Sequence, residues 1–333
     1  MKISFVATVF NEEKTITALL DSLFKQTKMP DEIIIVDGGS LDSTLSRIFN
    51  FQFSIFNKNP KTKKIKFKVL SRSGLTIAQA RNYGIKKASG DVIVMSDAGC
   101  ILHKDWLEKI TEPFDKKNAD FVAGFYRMTG STPLQKAIGV FLGIPPKRFD
   151  QNKFLPSARS MAFKKRLWKR IGGFDENLDR AGEDTLFNYR ALKLGINFTR
   201  VKDALVDWEV PGSLLVAIKK FYVYAKGDVQ AGIWWHPTQR VSTHNLKIAS
   251  IFIRYFIGSM FIIVSIGYNW LLYIVFLGFL FYIIWSVWKM RDVVANIRAR
   301  LWLPIVQIAS DMAVISGTTL GLLENLWDTQ KMR

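Results

Sequence analysis

The sequence predicts an α/β domain with a mostly parallel sheet, followed by a C-terminal transmembrane helical hairpin. Over the N-terminal third, short apolar runs typical of buried strands alternate with helical segments, which favours parallel strands joined by right-handed crossovers. From residue 246 onward the chain is strongly apolar, and the segments 248–268 and 270–288 each have about the 20 residues that a membrane-crossing helix needs. These two observations divide the chain into a globular part and a membrane part.

The elements of the globular part follow from local patterns. Residues 3–9 form the first predicted strand, and Asn11 is expected to cap the next helix, whose first turn holds Glu12 and Glu13. A second strand at 32–36 runs into a glycine-containing turn, where Asp42 is expected to cap another helix. The remaining predicted elements are strands at 66–70, 92–95, 120–126 and 157–163, helices at 76–87, 104–114 and from 182 onward, and a long irregular region at 127–156.

The strand at 92–95 ends on a candidate ligand site. Asp97 follows it directly, and the small residues Ala98 and Gly99 let a ligand approach closely. Ligands of open α/β sheets bind outside the carboxyl ends of the strands, where a carboxylate suits a divalent cation or a sugar nucleotide. By itself the pattern is also that of a turn aspartate bonded to its own backbone, so both interpretations stay open at this point.

The charge balance restricts the class of partner. Lysine and arginine number 47 against 28 acidic residues, a formal net charge of +19, which favours nucleic acid, an anionic membrane face or a phosphorylated substrate. We expect no nucleic-acid partner, because the basic run at 58–72 has few aromatic residues for base stacking and the tail is apolar. A dinucleotide dehydrogenase is also excluded, since no Gly-x-Gly-x-x-Gly follows the first strand.

Basic residues flank the apolar segments on both sides. The positive-inside rule therefore predicts a multi-pass cell-membrane protein whose globular part lies on the cytoplasmic side, in contact with membrane lipids. A third apolar segment at 303–323 contains Gln307 and Asp311, which favours an interfacial or re-entrant helix over a full crossing. The flanking residues are Lys219, Lys220, Lys226 and Lys247 before the first segment, and Lys289, Arg291, Arg298 and Arg300 after the second.

Several motifs occur in an order that resembles family-two glycosyltransferases of the GT-A fold, a Rossmann-like α/β domain. The resemblance covers residues 1–230, so a GT-A domain is expected there, then a linker at 231–247, the hairpin at 248–288, and a basic loop, third apolar helix and tail at 289–333. The motifs are Thr8-Val-Phe-Asn-Glu-Glu13, Ile35-Val-Asp37-Gly-Gly-Ser-Leu-Asp42-Ser-Thr44, Ala80-Arg-Asn82-Tyr-Gly84, Ser96-Asp97-Ala-Gly99, Gly172-Gly-Phe-Asp175-Glu and Gly182-Glu-Asp184.

The resemblance implies a nucleotide-sugar donor, with a UDP-sugar favoured, and inversion at the anomeric carbon. Asp97 matches the first aspartate of the family's Asp-x-Asp motif, which holds the ribose and the metal. Asp184 matches the family's general base, and Glu183 precedes it. The donor side would further include Arg81 near the diphosphate, Asp37 at the nucleotide base, and Thr8, Asn11 and Glu12 beside it.

The sequence departs from the family pattern at two places. Gly99 stands where many relatives have the second, metal-binding aspartate. Either the expected Mg²⁺ or Mn²⁺ is held by Asp97 through the diphosphate and water, or basic residues replace the ion in part. The Gln-x-x-Arg-Trp motif of processive membrane synthases is absent from residues 222–232, which favours the transfer of a single sugar.

The leading hypothesis is transfer of one sugar to a lipid-linked or membrane-proximal glycan acceptor. Trp208, Tyr224 and Arg159 are candidates for the acceptor side, although ordinary packing explains each ring equally well. One alternative makes polyprenyl phosphate itself the acceptor, giving a polyprenyl-phosphate sugar. Another is an inactive sugar-nucleotide-binding membrane scaffold, which the incomplete metal motif suggests and the retained Asp184 argues against.

Overall fold

The computed structural model describes residues 1–58, 64–178, 181–233 and 244–331. The chain divides into two compact units, Met1–Arg127 with Arg148–Glu209, and Met128–Lys147 with Val210–Arg333. The domain boundaries expected from the sequence stay a prediction, and most of the expected linker, residues 234–243, lies outside the described residues.

Within the described residues, the first unit forms one sheet of eight strands. They are β1 (Ile3–Val9), β2 (Glu32–Asp37), β3 (Lys66–Ser71), β4 (Val92–Met95), β5 (Cys100–Leu102), β6 (Phe121–Thr129), β7 (Met161–Lys164) and β8 (Phe198–Glu209). Their order is β3-β2-β1-β4-β7-β6-β8-β5, in which β1 to β4 pair in parallel and β7 pairs antiparallel with β4 and β6. The predicted α/β class with its parallel core is confirmed.

The helices in chain order are α1 (Ile16–Phe24), α2 (Thr44–Lys58), α3 (Ile77–Lys87), α4 (Trp106–Lys116), α5 (Pro133–Leu142), α6 (Lys165–Ile171), α7 (Glu183–Lys193), α8 (Leu214–Gln230), α9 (His244–Ser265), α10 (Leu271–Trp288) and α11 (Ile297–Lys331). Strands β1, β2 and β4 are buried at almost every position. Burial on both faces is the reason that their sequences are continuous apolar runs and not alternating patterns.

A buried carboxylate ties the parallel strands together. Glu32 of β2 accepts hydrogen bonds from Ser4 Oγ at 2.6 Å, the backbone N–H of Ser89 at 2.7 Å and Lys68 Nζ at 2.7 Å. Burial alone would raise the pKa of Glu32, but these hydrogen bonds lower it to about 2. The carboxylate therefore stays ionised inside the sheet.

The prediction of an irregular region at 127–156 is wrong over its first half, because α5 lies there. Thr132 and Gln135 form a capping box around the helix start, and Pro133 occupies the first turn. A threonine followed three residues later by glutamine is a helix-start signal, and proline is favoured in the first turn because its missing N–H is not needed there. The prolines here begin a helix.

The strand expected at 157–163 is also wrong in its first half. Only Met161–Lys164 pairs as β7, because the backbone turns just before it, with the N–H of Ser160 donating to the carbonyl of Ser157 at 2.8 Å. The long strand β8 was absent from the prediction. Burial alternates only over its second half, residues 204–209, and residues 199–203 are all partly or fully exposed, so no strand period runs through the whole element.

The second unit is helical. Side chains of α5, α8 and α11 meet in one apolar core, with Ala137, Phe221, Leu303 and Val306 among its buried members. Three helical segments in the described chain are long and apolar enough to cross a membrane: Leu246–Ser265, Leu271–Trp288 and Ile297–Trp327. The third is the most buried within the protein, and the expectation that it is interfacial or re-entrant stays a prediction.

Two glycines let α11 lie against the backbone of α8. A Cβ atom added at Gly317 would come within 2.4 Å of the carbonyl oxygen of Tyr222, and one at Gly321 within 3.0 Å of Val229 Cβ. Small residues four positions apart on one helix face permit this close approach between helices. α8 and α11 therefore pack as a pair.

A polar cluster joins α9, α10 and α11. The carboxylate of Asp311 is almost fully buried and accepts hydrogen bonds from Arg254 Nη2 at 2.9 Å, Tyr282 OH at 2.6 Å and Gln307 Nε2 at 2.7 Å. Lys289 in turn hydrogen-bonds Gln307. Charged groups among apolar helices are costly unless they are paired, so Asp311 and Arg254 depend on one another.

We expect Asp311→Ala to lower the free energy of unfolding by about 3 kcal/mol, because it leaves the Arg254 charge without its partner. The matched control is Glu324→Ala, which removes a carboxylate of the same helix that is 38% exposed and paired with Lys226. Glu324→Ala should lower the free energy of unfolding by less than about 1 kcal/mol. Thermal unfolding of the purified protein in detergent measures both, and equal losses would contradict the pairing argument.

Candidate active site

The loops that follow β1 and β2 bind each other. The backbone N–H of Asn11 donates to Ser40 Oγ at 2.9 Å, and Asn11 Oδ1 accepts from the N–H of Leu41 at 2.9 Å. The N–H of Glu12 donates to Thr44 Oγ1 at 2.7 Å. The expectation that Asn11 caps the first helix is therefore wrong. Asn11 has a positive φ of 55° and α1 begins only at Ile16.

Asp37 ends β2 and organises the turn after it. Its carboxylate accepts from the N–H groups of Gly39 at 3.0 Å and Ser40 at 3.2 Å, and from Ser71 Oγ at 3.0 Å. Gly39 has a φ of +96°, a conformation that favours glycine. Asp37 is buried, and Thr8 lies half-buried near the end of the neighbouring β1. The Asp37 carboxylate thus fixes the turn at the carboxyl edge of the sheet.

Arg81 is the centre of the site. It is carried by α3, is buried, and stacks over the Phe174 ring at 5.6 Å. Its guanidinium donates to Asp97 Oδ1 at 2.9 Å and to Glu183. One side chain therefore joins α3, the loop after β4 and the N-terminus of α7.

The charge state of this cluster follows from its composition. Burial alone would lower the pKa of Arg81, but the nearby carboxylates of Asp97, Glu183 and Asp184 raise it, so the guanidinium stays charged. Burial raises the pKa of Glu183, assisted by Asp184 and Asp97 and opposed by Arg81. Perturbed pKa values in a cluster of this kind are typical of functional sites.

Asp184 is the more accessible carboxylate of the pair at the start of α7. Glu183 is buried, whereas Asp184 is half-buried. Asp184 Oδ2 accepts from Ser157 Oγ at 3.2 Å and from the N–H of Ala158 at 3.3 Å, and Oδ1 accepts from the N–H of Thr185 at 2.8 Å. These bonds fix the orientation of a carboxylate that a ligand can reach.

The loop after β4 turns sharply at Gly99. This residue has a φ of +83°, and a Cβ atom added to it would lie 3.6 Å from Trp208 Nε1. The next residue, Cys100, begins β5 opposite Trp208 of β8. Burial, and then Asp97, raise the pKa of Cys100 to about 12. Trp208 therefore lies beside the backbone of Gly99.

Arg159 and Trp208, two candidates for the acceptor side, lie in contact. The guanidinium carbon of Arg159 is 4.1 Å from the Trp208 ring centroid and 5.3 Å from that of Tyr126. Arg159 Nη1 donates to Ser157 Oγ at 3.2 Å. The third candidate, Tyr224, belongs to α8 in the second unit. The sequence does not indicate a site role for Ser157 or Tyr126, since neither residue lies in one of the motifs.

The residues of the site can be compared with the ligands that a divalent cation requires. Within the described parts of the chain, no group of three or more His, Cys, Asp or Glu side chains is arranged to hold a metal ion. Asp97 is 24% exposed at its side chain and offers one carboxylate. Mg²⁺ sites commonly use one or two carboxylates and complete the coordination shell with substrate phosphates and water. Asp97 fits such a role.

Comparison with known proteins gives a family match. The model of "Glycosyl transferase family 2" matches residues 4–171. Glycosyltransferase AglE of Haloferax volcanii is 26% identical over 239 residues, which are 70% of this chain and 74% of AglE. The UDP-Glc:alpha-D-GlcNAc-diphosphoundecaprenol beta-1,3-glucosyltransferase WfgD of Escherichia coli is 28% identical over 154 residues, 46% of this chain and 54% of WfgD.

Solved structures share the fold. The mannosyltransferase PcManGT of Pyrobaculum calidifontis, in complex with GDP-Man and Mn²⁺, matches with a TM-score of 0.58 and 16% identity, over 98% of this chain and 87% of that one. GalNAc-T7 with UDP, GalNAc and Mn²⁺ matches with a TM-score of 0.52 and 17% identity, over 71% of this chain and 48% of that one. At these identities the likeness is one of fold.

We expect Arg81→Met to lower the free energy of unfolding by about 3–5 kcal/mol, because it leaves buried carboxylates without their cation. Adding Glu183→Gln should restore part of the loss, since one of those charges is then removed. Arg190→Met is the matched control: its partner is Asp175 and its side chain is 36% exposed, so the cost should stay below about 1 kcal/mol. Thermal unfolding in detergent measures the stability of each variant. An Arg81→Met, Glu183→Gln double variant that is no more stable than Arg81→Met would refute this account.

The thiol of Cys100 should be inert in the folded protein. It is the single cysteine of the chain, it is buried, and its pKa of about 12 leaves almost no thiolate at pH 8. Titration with a coloured disulfide reagent should find close to no reactive thiol before denaturation and one thiol per chain after it. Rapid labelling of the native protein would show that the strand β5 is not packed as described.

Proposed function

Because this chain belongs to glycosyl transferase family 2 and is a nucleotide-sugar glycosyltransferase, we propose that it transfers a single sugar, with inversion at the anomeric carbon, to a lipid-linked or membrane-proximal glycan. The observation that carries the proposal is the Arg81 bridge. The Arg81 guanidinium binds Asp97, which lies in the donor motif, and Glu183, which begins the helix that carries Asp184. The donor side and the base are thereby held close together. A displacement reaction needs both a donor site and a base at the acceptor.

In the proposed reaction Asp184 is the general base. The acceptor oxygen forms a bond to the anomeric carbon, the bond from that carbon to the diphosphate oxygen breaks, and the acceptor proton passes to Asp184. The hydrogen bonds from Ser157, Ala158 and Thr185 orient the carboxylate for this transfer. Glu183 is buried against Arg81, so its part is to position the donor side.

The donor would lie along the carboxyl edge of β1, β2 and β4. A nucleotide would be received where Thr8 and Asp37 lie at the carboxyl ends of their strands and where Asn11 and Glu12 stand in the loop after β1. A divalent cation, when bound, supplies positive charge to the departing diphosphate, and Asp97 is the residue that would hold it. A UDP-sugar is the favoured donor; WfgD uses UDP-Glc by its name, whereas PcManGT was solved with GDP-Man.

The acceptor and the location follow from the helical unit and from a relative. Three helices long and apolar enough to cross a membrane indicate membrane association, and the basic residues that flank them favour a cytoplasmic catalytic unit in a multi-pass protein. WfgD is named for a diphosphoundecaprenol-linked acceptor, which supports a lipid-linked acceptor here. The acceptor would approach on the side of Arg159 and Trp208, with Tyr224 a further candidate.

Asp184→Asn should lower the turnover number by about 10²–10⁴-fold and leave donor affinity nearly unchanged, because the base acts on the acceptor and not on the donor. Nucleoside diphosphate release is measured with membranes containing the protein, lipid extract, and UDP-, GDP- and dTDP-sugars, with Mn²⁺ or EDTA. Asp120→Asn is the control, since its partners Lys164 and Arg166 lie away from the cluster. It should retain wild-type turnover.

The outcomes separate the hypotheses. Lipid products that carry the sugar directly on polyprenyl phosphate would favour the alternative acceptor over a glycan. Donor binding by the wild type with no release from any donor would overturn the proposal in favour of a binding scaffold. Undiminished turnover in Asp184→Asn would remove Asp184 from the role of base.

A further inference from the structure

Arg159 leaves the sheet at the same edge as Asp97. Strands β4 and β7 pair antiparallel, with Val94 opposite Ala162 and Met95 opposite Met161. Asp97 lies two residues after the end of β4, and Arg159 lies two residues before the start of β7. The residue predicted for the acceptor side therefore lies at the edge of the sheet that carries the proposed metal-binding carboxylate.

The position of the Arg159 side chain points to the same place. Its guanidinium carbon lies 4.1 Å from the ring centroid of Trp208, and Trp208 is the side chain nearest to a Cβ atom added at Gly99, at 3.6 Å. Burial and then Asp97 raise the pKa of Cys100, and Arg159 is the cation that acts against them. Trp208 thus contacts the Arg159 guanidinium and also lies beside Gly99, the residue that stands where the resemblance expects a second carboxylate.

We propose that Arg159 binds the diphosphate of the donor and neutralises the negative charge on the departing nucleoside diphosphate, where a second carboxylate would otherwise recruit a cation. This inference rests on the proposed function. A guanidinium presents several N–H donors in a rigid plane that matches phosphate oxygens, and it keeps its charge at all working pH values. Stacking on Trp208 and the bond to Ser157 hold it in one orientation before the donor binds.

The role of Arg159 in the reaction is electrostatic. As the bond from the anomeric carbon to the diphosphate breaks, its electron pair stays on the diphosphate oxygen, and Arg159 donates hydrogen bonds to the charge that develops. The acceptor proton goes to Asp184, so Arg159 transfers none. Two other roles make different predictions: contact with the acceptor alone, and orientation of Asp184 through Ser157.

Binding of nucleotides distinguishes these roles without requiring turnover. The full chain in detergent is titrated calorimetrically with UDP, GDP and dTDP, and then with the monophosphate of whichever base binds, in Mn²⁺ and in EDTA. The variants are Arg159→Ala, Arg159→Gln, Arg159→Lys and Ser157→Ala. Arg200→Ala is the control, because Arg200 also lies over an aromatic ring, that of Phe198 at 5.7 Å, and is not part of the cluster.

We expect Arg159→Ala and Arg159→Gln to weaken diphosphate binding by roughly 10–100-fold in EDTA and by less in Mn²⁺, with the monophosphate affinity nearly unchanged. Arg159→Lys should retain part of the affinity, because it keeps the charge but loses the planar fork. Ser157→Ala should weaken diphosphate binding by less than Arg159→Ala does, because Arg159 keeps its charge and its contact with Trp208. Arg200→Ala should bind the diphosphate like the wild type. Thermal unfolding shows whether each variant is folded. If Arg159→Ala does not fold, Arg159→Gln takes its place in the comparison.

Two results would overturn the inference alone. One is wild-type diphosphate affinity in both Arg159→Ala and Arg159→Gln, which would leave Arg159 to the acceptor. The other is an equal loss of diphosphate and monophosphate affinity, which would indicate general damage to the site. A wild-type chain that binds none of the three diphosphates would instead overturn the proposed function, and the role of Arg159 with it.

Discussion

The buried guanidinium of Arg81 is the contact on which the arrangement of the site depends. A charge at this depth is tolerated only when it is paired, so the chain must bring carboxylates to it. Its partners Asp97 and Glu183 lie 16 and 102 residues away in the sequence. The helix start that presents Asp184 is therefore held in place by an electrostatic requirement as well as by the packing of α7.

Buried carboxylates recur in both units, but their surroundings differ. Glu32 in the sheet and Asp311 among the apolar helices accept hydrogen bonds from a cation and from neutral donors, which suits them to stabilising the fold. The cluster around Arg81 has three carboxylates for one guanidinium, and burial together with the neighbouring carboxylates raises the pKa of Glu183. Perturbed pKa values of this kind are typical of functional sites.

Local patterns predicted the parallel core well and the edges of the sheet poorly. Strands β1, β2 and β4 are buried on both faces, so their apolar runs identify them without any tertiary information. Strand β8 alternates in burial only over residues 204–209, and β5 is only three residues long, so the local signature of each is short. The capping box at Thr132 was a readable signal for α5, but the prolines around it suggested a loop.

The sequence by itself determined the fold class, the apolar helices and the order of the motifs that contain Asp37, Arg81, Asp97 and Asp184, because each depends on residues close together in the chain. Tertiary structure alone decided that Asn11 bonds the neighbouring loop, that Arg81 bridges carboxylates, and that Arg159 stacks on Trp208. Those contacts join residues between 16 and 102 positions apart. They follow from strand register and from the requirement that buried charge be paired, neither of which local spacing specifies.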